Sequence, residues 1–171
     1  IYTNYNKEKI FLTETELKQQ ETGQQEMEAY FTDLMDTILA DGKVGLVPKL
    51  SPKFVACDYG EKSLTLEFKV ADWMINPEKI LFGGAMVSML DNTYGFLSHY
   101  FAGDKFISTI SVSATFLKPG RLDDIIRVKA TAASHGRTII NMEGEVYAVT
   151  QDVTIGMSQP SFMLLDKKVD L

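Results

Sequence analysis

One segment governs what this chain can fold into. From Gly83 it reads GGAMVSMLDNTYGFLSHYF, whereas the residues after Gly103 alternate polar with apolar. Met86, Met89, Leu90, Phe96, Leu97 and Phe101 cover most of a helical surface, which predicts a helix buried almost all round. Such a helix must be wrapped by other elements, and the wrapping is legible in strand periodicity. In residues 107–116, Ile110, Val112, Ala114 and Phe116 alternate with Thr109, Ser111, Ser113 and Thr115; further strands are predicted over 125–133, 140–148 and 153–165. Pro119-Gly120, Gly136-Arg137 and Gln151-Asp152 make the turns, and Gly156 and Pro160 mark bulges or an edge position in the last strand. Upstream, residues 54–59 and 63–70 read as a hairpin about Gly60-Glu61-Lys62.

The first 45 residues differ in character. Thr13 and Glu16 have capping-box spacing, so a helix starts there. Met27, Tyr30, Phe31, Leu34, Met35, Ile38 and Leu39 then keep helical spacing between acids, with Gly42 and Gly45 expected to end the helix and Pro48 and Pro52 to punctuate a loop. The expected organisation is an arm and amphipathic helix over 1–45 and a second unit over 46–171. The order helix, two strands, buried helix, four strands predicts an α+β fold with an antiparallel sheet wrapped about one helix.

Composition narrows the function. With 17 basic and 23 acidic residues the net charge is −6, which gives no field for nucleic acid. The lone Cys57 excludes an internal disulfide and a zinc knuckle, and reads as a small core residue rather than a nucleophile. No bilayer-spanning run and no signal-peptide pattern is present, so a cytoplasmic protein without metal or cofactor is expected.

The chemistry concentrates at the central helix. Gly83 and Gly84 would open it with unsatisfied amides at its positive end, where nothing obstructs an oxyanion. Asp91 is its one carboxylate, and acids are rarely buried without a partner or a task. The alternative is that the helix stops at Asp91-Asn92, or that Asp91 faces water. His99, on the apolar helix, reads as a satisfied core or interface histidine.

These residues resemble the hotdog-fold acyl-CoA thioesterases, in particular the PaaI-like and 4-hydroxybenzoyl-CoA thioesterase-like group, over about residues 50–166. Asn76, Phe82-Gly83-Gly84 and Asp91 match an Asn, His-Gly-Gly and helical Asp pattern; Thr109, Phe116-Leu117-Lys118-Pro119 and Gly136-Arg137-Thr138 match the later elements. The departure is Phe82, where the family has His.

The resemblance implies a hotdog fold and thioester hydrolysis. Asp91 would activate water, or attack as a nucleophile through an anhydride, and Gly83 N–H would hold the oxyanion. Asn76 would orient water or carbonyl, and Thr109 would bond the carboxylate or the water. Phe82 and Gly84 would contact substrate, while Lys118, Arg121, Gly136 and Arg137 would meet the CoA phosphates. Gly83 and Asp91 are eight residues apart, about 12 Å along a helix, so one carbonyl cannot reach both. If they act together they come from different subunits of a homodimer, or of a tetramer built from dimers, with antiparallel central helices. Two other readings compete: an acyl-CoA or lipid-binding module without turnover, and a structural dimer recruited through Met27, Phe31, Met35 and Leu39.

Overall fold

The helix that begins at Gly83 runs unbroken to Ala102 and is the third of three α-helices in a computed structural model describing residues 13–40 and 43–166. The others are α1 (Glu14–Leu39) and α2 (Leu46–Leu50), so the Gly83 helix is α3. Six strands complete the structure: β1 (Lys53–Asp58), β2 (Ser63–Lys69), β3 (Phe106–Phe116), β4 (Ile125–His135), β5 (Ile139–Ala148) and β6 (Val153–Leu165). They form one sheet in the order β1-β2-β4-β5-β6-β3, every neighbouring pair antiparallel. The crossover through α3 carries the chain from the β1–β2 hairpin to the far edge, which β3 occupies.

Strand alternation sets which face meets α3. Leu64, Leu66 and Phe68 of β2, Ile126, Val128 and Ala130 of β4, and Ile140, Met142 and Val146 of β5 are buried beside Met86, Met89, Leu90, Tyr94 and Leu97 of α3. The sheet therefore wraps the helix on one side only. The expectation of burial almost all round is corrected: Asp91, Asn92, Gly95 and Phe96 are half-buried, and His99 is exposed. Their face of α3 meets a cleft instead of the sheet.

β6 lies between β5 and β3, so Pro160 is not at an edge. The β5–β6 pairing passes from Asn141↔Ser161 to Gly144↔Ser158 with no pairs between, which accommodates a residue without an N–H. Gly156 does mark an irregularity: Val146 pairs with Gly156 but Tyr147 with Thr154, leaving Ile155 as the extra residue of a bulge.

The capping box forms as read, with Glu16 N–H donating to Thr13 Oγ1 and Thr13 N–H to Glu16 Oε2. Helix α1 ends at Leu39, ahead of Gly45; Gly42 lies outside the described residues. The region read as a loop around Pro48 contains α2, because a proline in a first turn gives up an N–H that has no intrahelical acceptor anyway. Gln24 ties α1 to β1, its Nε2 donating to Cys57 O and its Oε1 accepting from Tyr59 N–H. Met27, Phe31 and Met35 are 0%, 0% and 6% exposed inside the chain's own core. That overturns the reading of this face as a recruiter of partners.

Candidate active site

Asp91 sits midway along α3, where its side chain leaves the sheet-facing stripe and points to the start of β3. Thr109 Oγ1 donates to Asp91 Oδ1 at 3.1 Å, so the predicted pair is assembled within one chain. Its position is fixed from both sides. α3 is held by the core, and Thr109 stands at the point where the β3–β6 register shifts between Thr109 and Ser111.

The pair lies at the mouth of a cleft of about 340 Å³ whose apolar walls come from Leu34, Phe96, Ile107 and Phe162. Asn92 also lines it, with a buried Oδ1 that has no hydrogen-bond partner. At the far end Tyr30 Oη and His99 Nδ1 are 2.7 Å apart, their rings stacked. His99 is therefore neither core nor spare: it is exposed on the cleft wall and bonded to α1.

Gly83 and Gly84 begin α3, with Phe82 as an N-cap that supplies no side-chain hydrogen bond. First-turn amides have no intrahelical acceptor. Two rings crowd this end: a Cβ on Gly83 would lie 3.2 Å from Phe116, and one on Gly84 would lie 2.5 Å from Phe82. Both rings are largely open to solvent, at 57% for Phe82 and 54% for Phe116. Asn76 is engaged locally. Its Oδ1 accepts from Ile80 N–H at 3.1 Å, and its backbone exchanges bonds with Lys79 and Ile80, so it shapes the loop leading into α3.

The basic candidates separate into two groups. Lys118 and Arg121 flank Gly120, whose carbonyl accepts from Leu81 N–H, and so lie at the N-terminal end of α3. Gly136 and Arg137 lie at the other end, where Lys105 Nζ donates to Arg137 O and His135 packs on Phe101. One chain thus brings together Asp91 and Thr109, but keeps them apart from Gly83 and splits the basic residues between the helix ends.

Cys57 is half-buried beside Gln24. Burial, then the nearby Glu28 and Asp58 carboxylates, push its thiol up to about 11 despite the Gln24 hydrogen bond, so it is protonated and unreactive at neutral pH. Among the described residues no cluster of three or more His, Cys, Asp or Glu could hold a metal, and no helix is long and apolar enough to cross a membrane.

Sequence reasoning missed Leu34, Asn92 and Gly95 as members of this cleft and Tyr30 as the partner of His99; the histidine is satisfied as expected, but exposed rather than in the core. A signal for part of it was present, since Asp91, Gly95 and His99 recur at four-residue spacing and share one helical face.

A six-stranded antiparallel sheet wrapped on one long helix is the hotdog architecture. Residues 78–155 match the model of the thioesterase superfamily. The PaaI protein of the E. coli phenylacetic acid degradation operon superposes with a TM-score of 0.66 at 16% identity, covering 85% of this chain and 95% of that one. A phenylacetic acid degradation-related protein of Ralstonia eutropha JMP134 gives 0.64 at 22% identity, with 74% and 97% covered. A hypothetical thioesterase of Streptococcus pneumoniae, solved with coenzyme A, gives 0.61 at 18% identity, with 69% and 88% covered. No curated protein matches the chain. At these identities the likeness of structure speaks for the fold, and the expected hotdog architecture is borne out.

Proposed function

We propose that the protein hydrolyses the thioester of an acyl-CoA to a free acid and CoA. The observation that carries this is the Asp91–Thr109 pair, 3.1 Å apart at the mouth of an apolar cleft. Thr109 donates to one carboxylate oxygen and leaves the other free to take a proton. In the proposed reaction Asp91 removes a proton from water as its oxygen bonds to the thioester carbon. The carbonyl oxygen becomes an oxyanion held by the Gly83 N–H of a second subunit, because Gly83 of the same chain is about 12 Å away along α3. Collapse of the intermediate breaks the C–S bond, and the departing thiolate takes up the proton that Asp91 removed from water, giving CoA and restoring the carboxylate.

A two-fold pair of antiparallel α3 helices supports the arrangement. It would bring the Gly136-Arg137 turn of one subunit toward the Gly83 end of the other, uniting basic residues that one chain keeps apart. The partly exposed flank of β3 is the natural seam for that dimer. The CoA in the Streptococcus pneumoniae structure is consistent with acyl-CoA as the thioester.

Phe82 favours the alternative of an acyl-CoA-binding module without turnover, since an exposed phenyl ring cannot orient a polar group. Thiol release across a panel of acyl-CoAs separates the two. Hydrolysis by the wild type that falls about 10²- to 10⁴-fold in a folded Asp91→Asn variant supports the proposal. Saturable acyl-CoA binding with no thiol release, or full turnover by Asp91→Asn, refutes it.

A further inference from the structure

Gly95 stands in the middle of α3 with no structural reason to be glycine. A helix-interior glycine costs about 1 kcal/mol relative to alanine. Such a residue usually earns its place through a positive φ or a crowded neighbour, and here both are absent. Gly23, Gly60, Gly83, Gly84, Gly120, Gly136, Gly144 and Gly156 each have an atom where a Cβ would press, and Gly45 and Gly103 have positive φ. A Cβ on Gly95 would meet nothing within 4 Å. Among the described glycines it alone has neither explanation, and the empty space above it belongs to the Asp91 cleft.

Asp91, Gly95 and His99 fall at i, i+4 and i+8, a line of about 12 Å on one face of α3. It starts at the carboxylate, crosses the bare backbone at Gly95, and ends where the Tyr30 hydroxyl meets His99 Nδ1 at 2.7 Å. Leu34, one turn along α1 from Tyr30, walls the same space, with Phe96 and Ile107 beside it. A thioester carbonyl at Asp91 therefore directs its acyl group over Gly95 toward a polar stop. A short aryl acyl group would leave the His99 end of this line empty. A long chain would have to strip water from the Tyr30–His99 pair.

We propose that Gly95 admits, and the Tyr30–His99 pair limits, a linear acyl chain of medium length, so that these residues set the acyl-length preference of the site. This rests on the thioesterase reading for the chemistry at Asp91, and its test is built on binding so that the two fail separately. Each methylene that enters the cleft should tighten binding about fourfold, and each one beyond the stop should add little.

The test measures affinities of S-alkyl CoA thioethers, which cannot be hydrolysed, with butyl, octyl, dodecyl and hexadecyl chains, and thiol release from the matching thioesters. The wild type should bind octyl much more tightly than butyl and gain little at hexadecyl. Gly95→Leu should keep butyl affinity within about twofold and lose octyl affinity by more than about tenfold, since its side chain takes the place of several methylenes. Gly95→Ala, which the helix should accept with a raised Tm, should weaken octyl more than butyl. His99→Ala, an exposed position, should move the optimum to dodecyl.

Equal losses for butyl and octyl in both glycine variants would overturn the proposal. So would a Gly95→Leu protein that changes its oligomeric mass but not its length preference, because the space would then belong to a partner helix. Chain-length-dependent binding without thiol release would instead sink the thioesterase reading and leave the acyl channel standing. Thiol release with a length profile unmoved by Gly95→Leu would do the reverse.

Discussion

Gly144 and Tyr94 form a contact in which one side chain occupies the place where another residue's Cβ would be. Tyr94 rises from α3 against the sheet, and a Cβ built on Gly144 would overlap its hydroxyl, with Cζ and Cε1 at 2.8 and 2.9 Å. Both ring and strand are fixed in the core, so Gly144→Ala has to displace the phenol. Overpacking of this kind costs about 1–3 kcal/mol, which for a chain of this size lowers Tm by roughly 2–12 °C. The hydroxyl has no hydrogen-bond partner; Ser158, beside it, donates its own proton to Ser113 O. Removing an unpartnered buried hydroxyl should be close to neutral, so Tyr94→Phe alone should change stability by less than about 1 kcal/mol.

The double variant should recover part of the Gly144→Ala loss. Full recovery is not expected, because the ring carbons still crowd the new methyl. The coupling from a double-mutant cycle should therefore be at least about 0.5 kcal/mol and favourable. The assay is chemical or thermal denaturation followed by circular dichroism at one fixed protein concentration, since any oligomer makes Tm depend on it. Additive losses, or a cost above about 2 kcal/mol for Tyr94→Phe alone, would refute the reasoning. Burial also pushes the Tyr94 phenol up to about 12, so in a spectrophotometric titration of the folded protein this tyrosine should ionise last.

Cys57 should resist alkylation at pH 7 in the folded protein and react readily on unfolding; rapid modification of the native thiol would show that its protonated state is misassigned. Asp124 is raised by burial but held below the usual carboxylate range by hydrogen bonds from Thr150, Arg121 N–H and Gln151. Its contribution is therefore present above about pH 4 and lost as pH falls through the lowered folded value. Asp124→Asn should cost about 1–3 kcal/mol at pH 7, and the gap to wild type should narrow under acid titration; a gap constant from pH 6 to pH 2 would contradict the assignment. Arg137→Ala should weaken acyl-CoA binding more than binding of an acyl thioester lacking the nucleotide, and less so at high salt. Equal effects on both ligands would make Arg137 a scaffold residue.

What could be read from the sequence followed periodicity. The six strands, α3 and the Thr13–Glu16 cap each depend on residues within a few positions of one another, and each was legible. The Asp91–Thr109 pair was also within reach, because helix and following strand bracket one short turn. The sheet order was not legible, since nothing local in β3 says that it pairs with β6 and not with β2. The far end of the cleft was hidden for the same reason: Tyr30 reaches His99 only after α1 docks on β1 through Gln24, a contact 33 to 35 residues long in sequence. Asn76 shows the limit of spacing from the other side. Its spacing matched a catalytic pattern, but nothing in that spacing says that its Oδ1 also accepts from the amide of Ile80, four residues on.

Strand β3 closes the sheet with one flank of peptide groups open along its 11 residues, and Ile110 and Phe116 stand exposed upon it. An apolar flank of this length is a template for any chain able to lie alongside it. Acquiring the native tertiary structure and remaining dispersed are thus separate problems for each newly made copy. In the proposed dimer a second copy would cover that flank, and until then a copy with a stable interior is still open to edge-to-edge pairing.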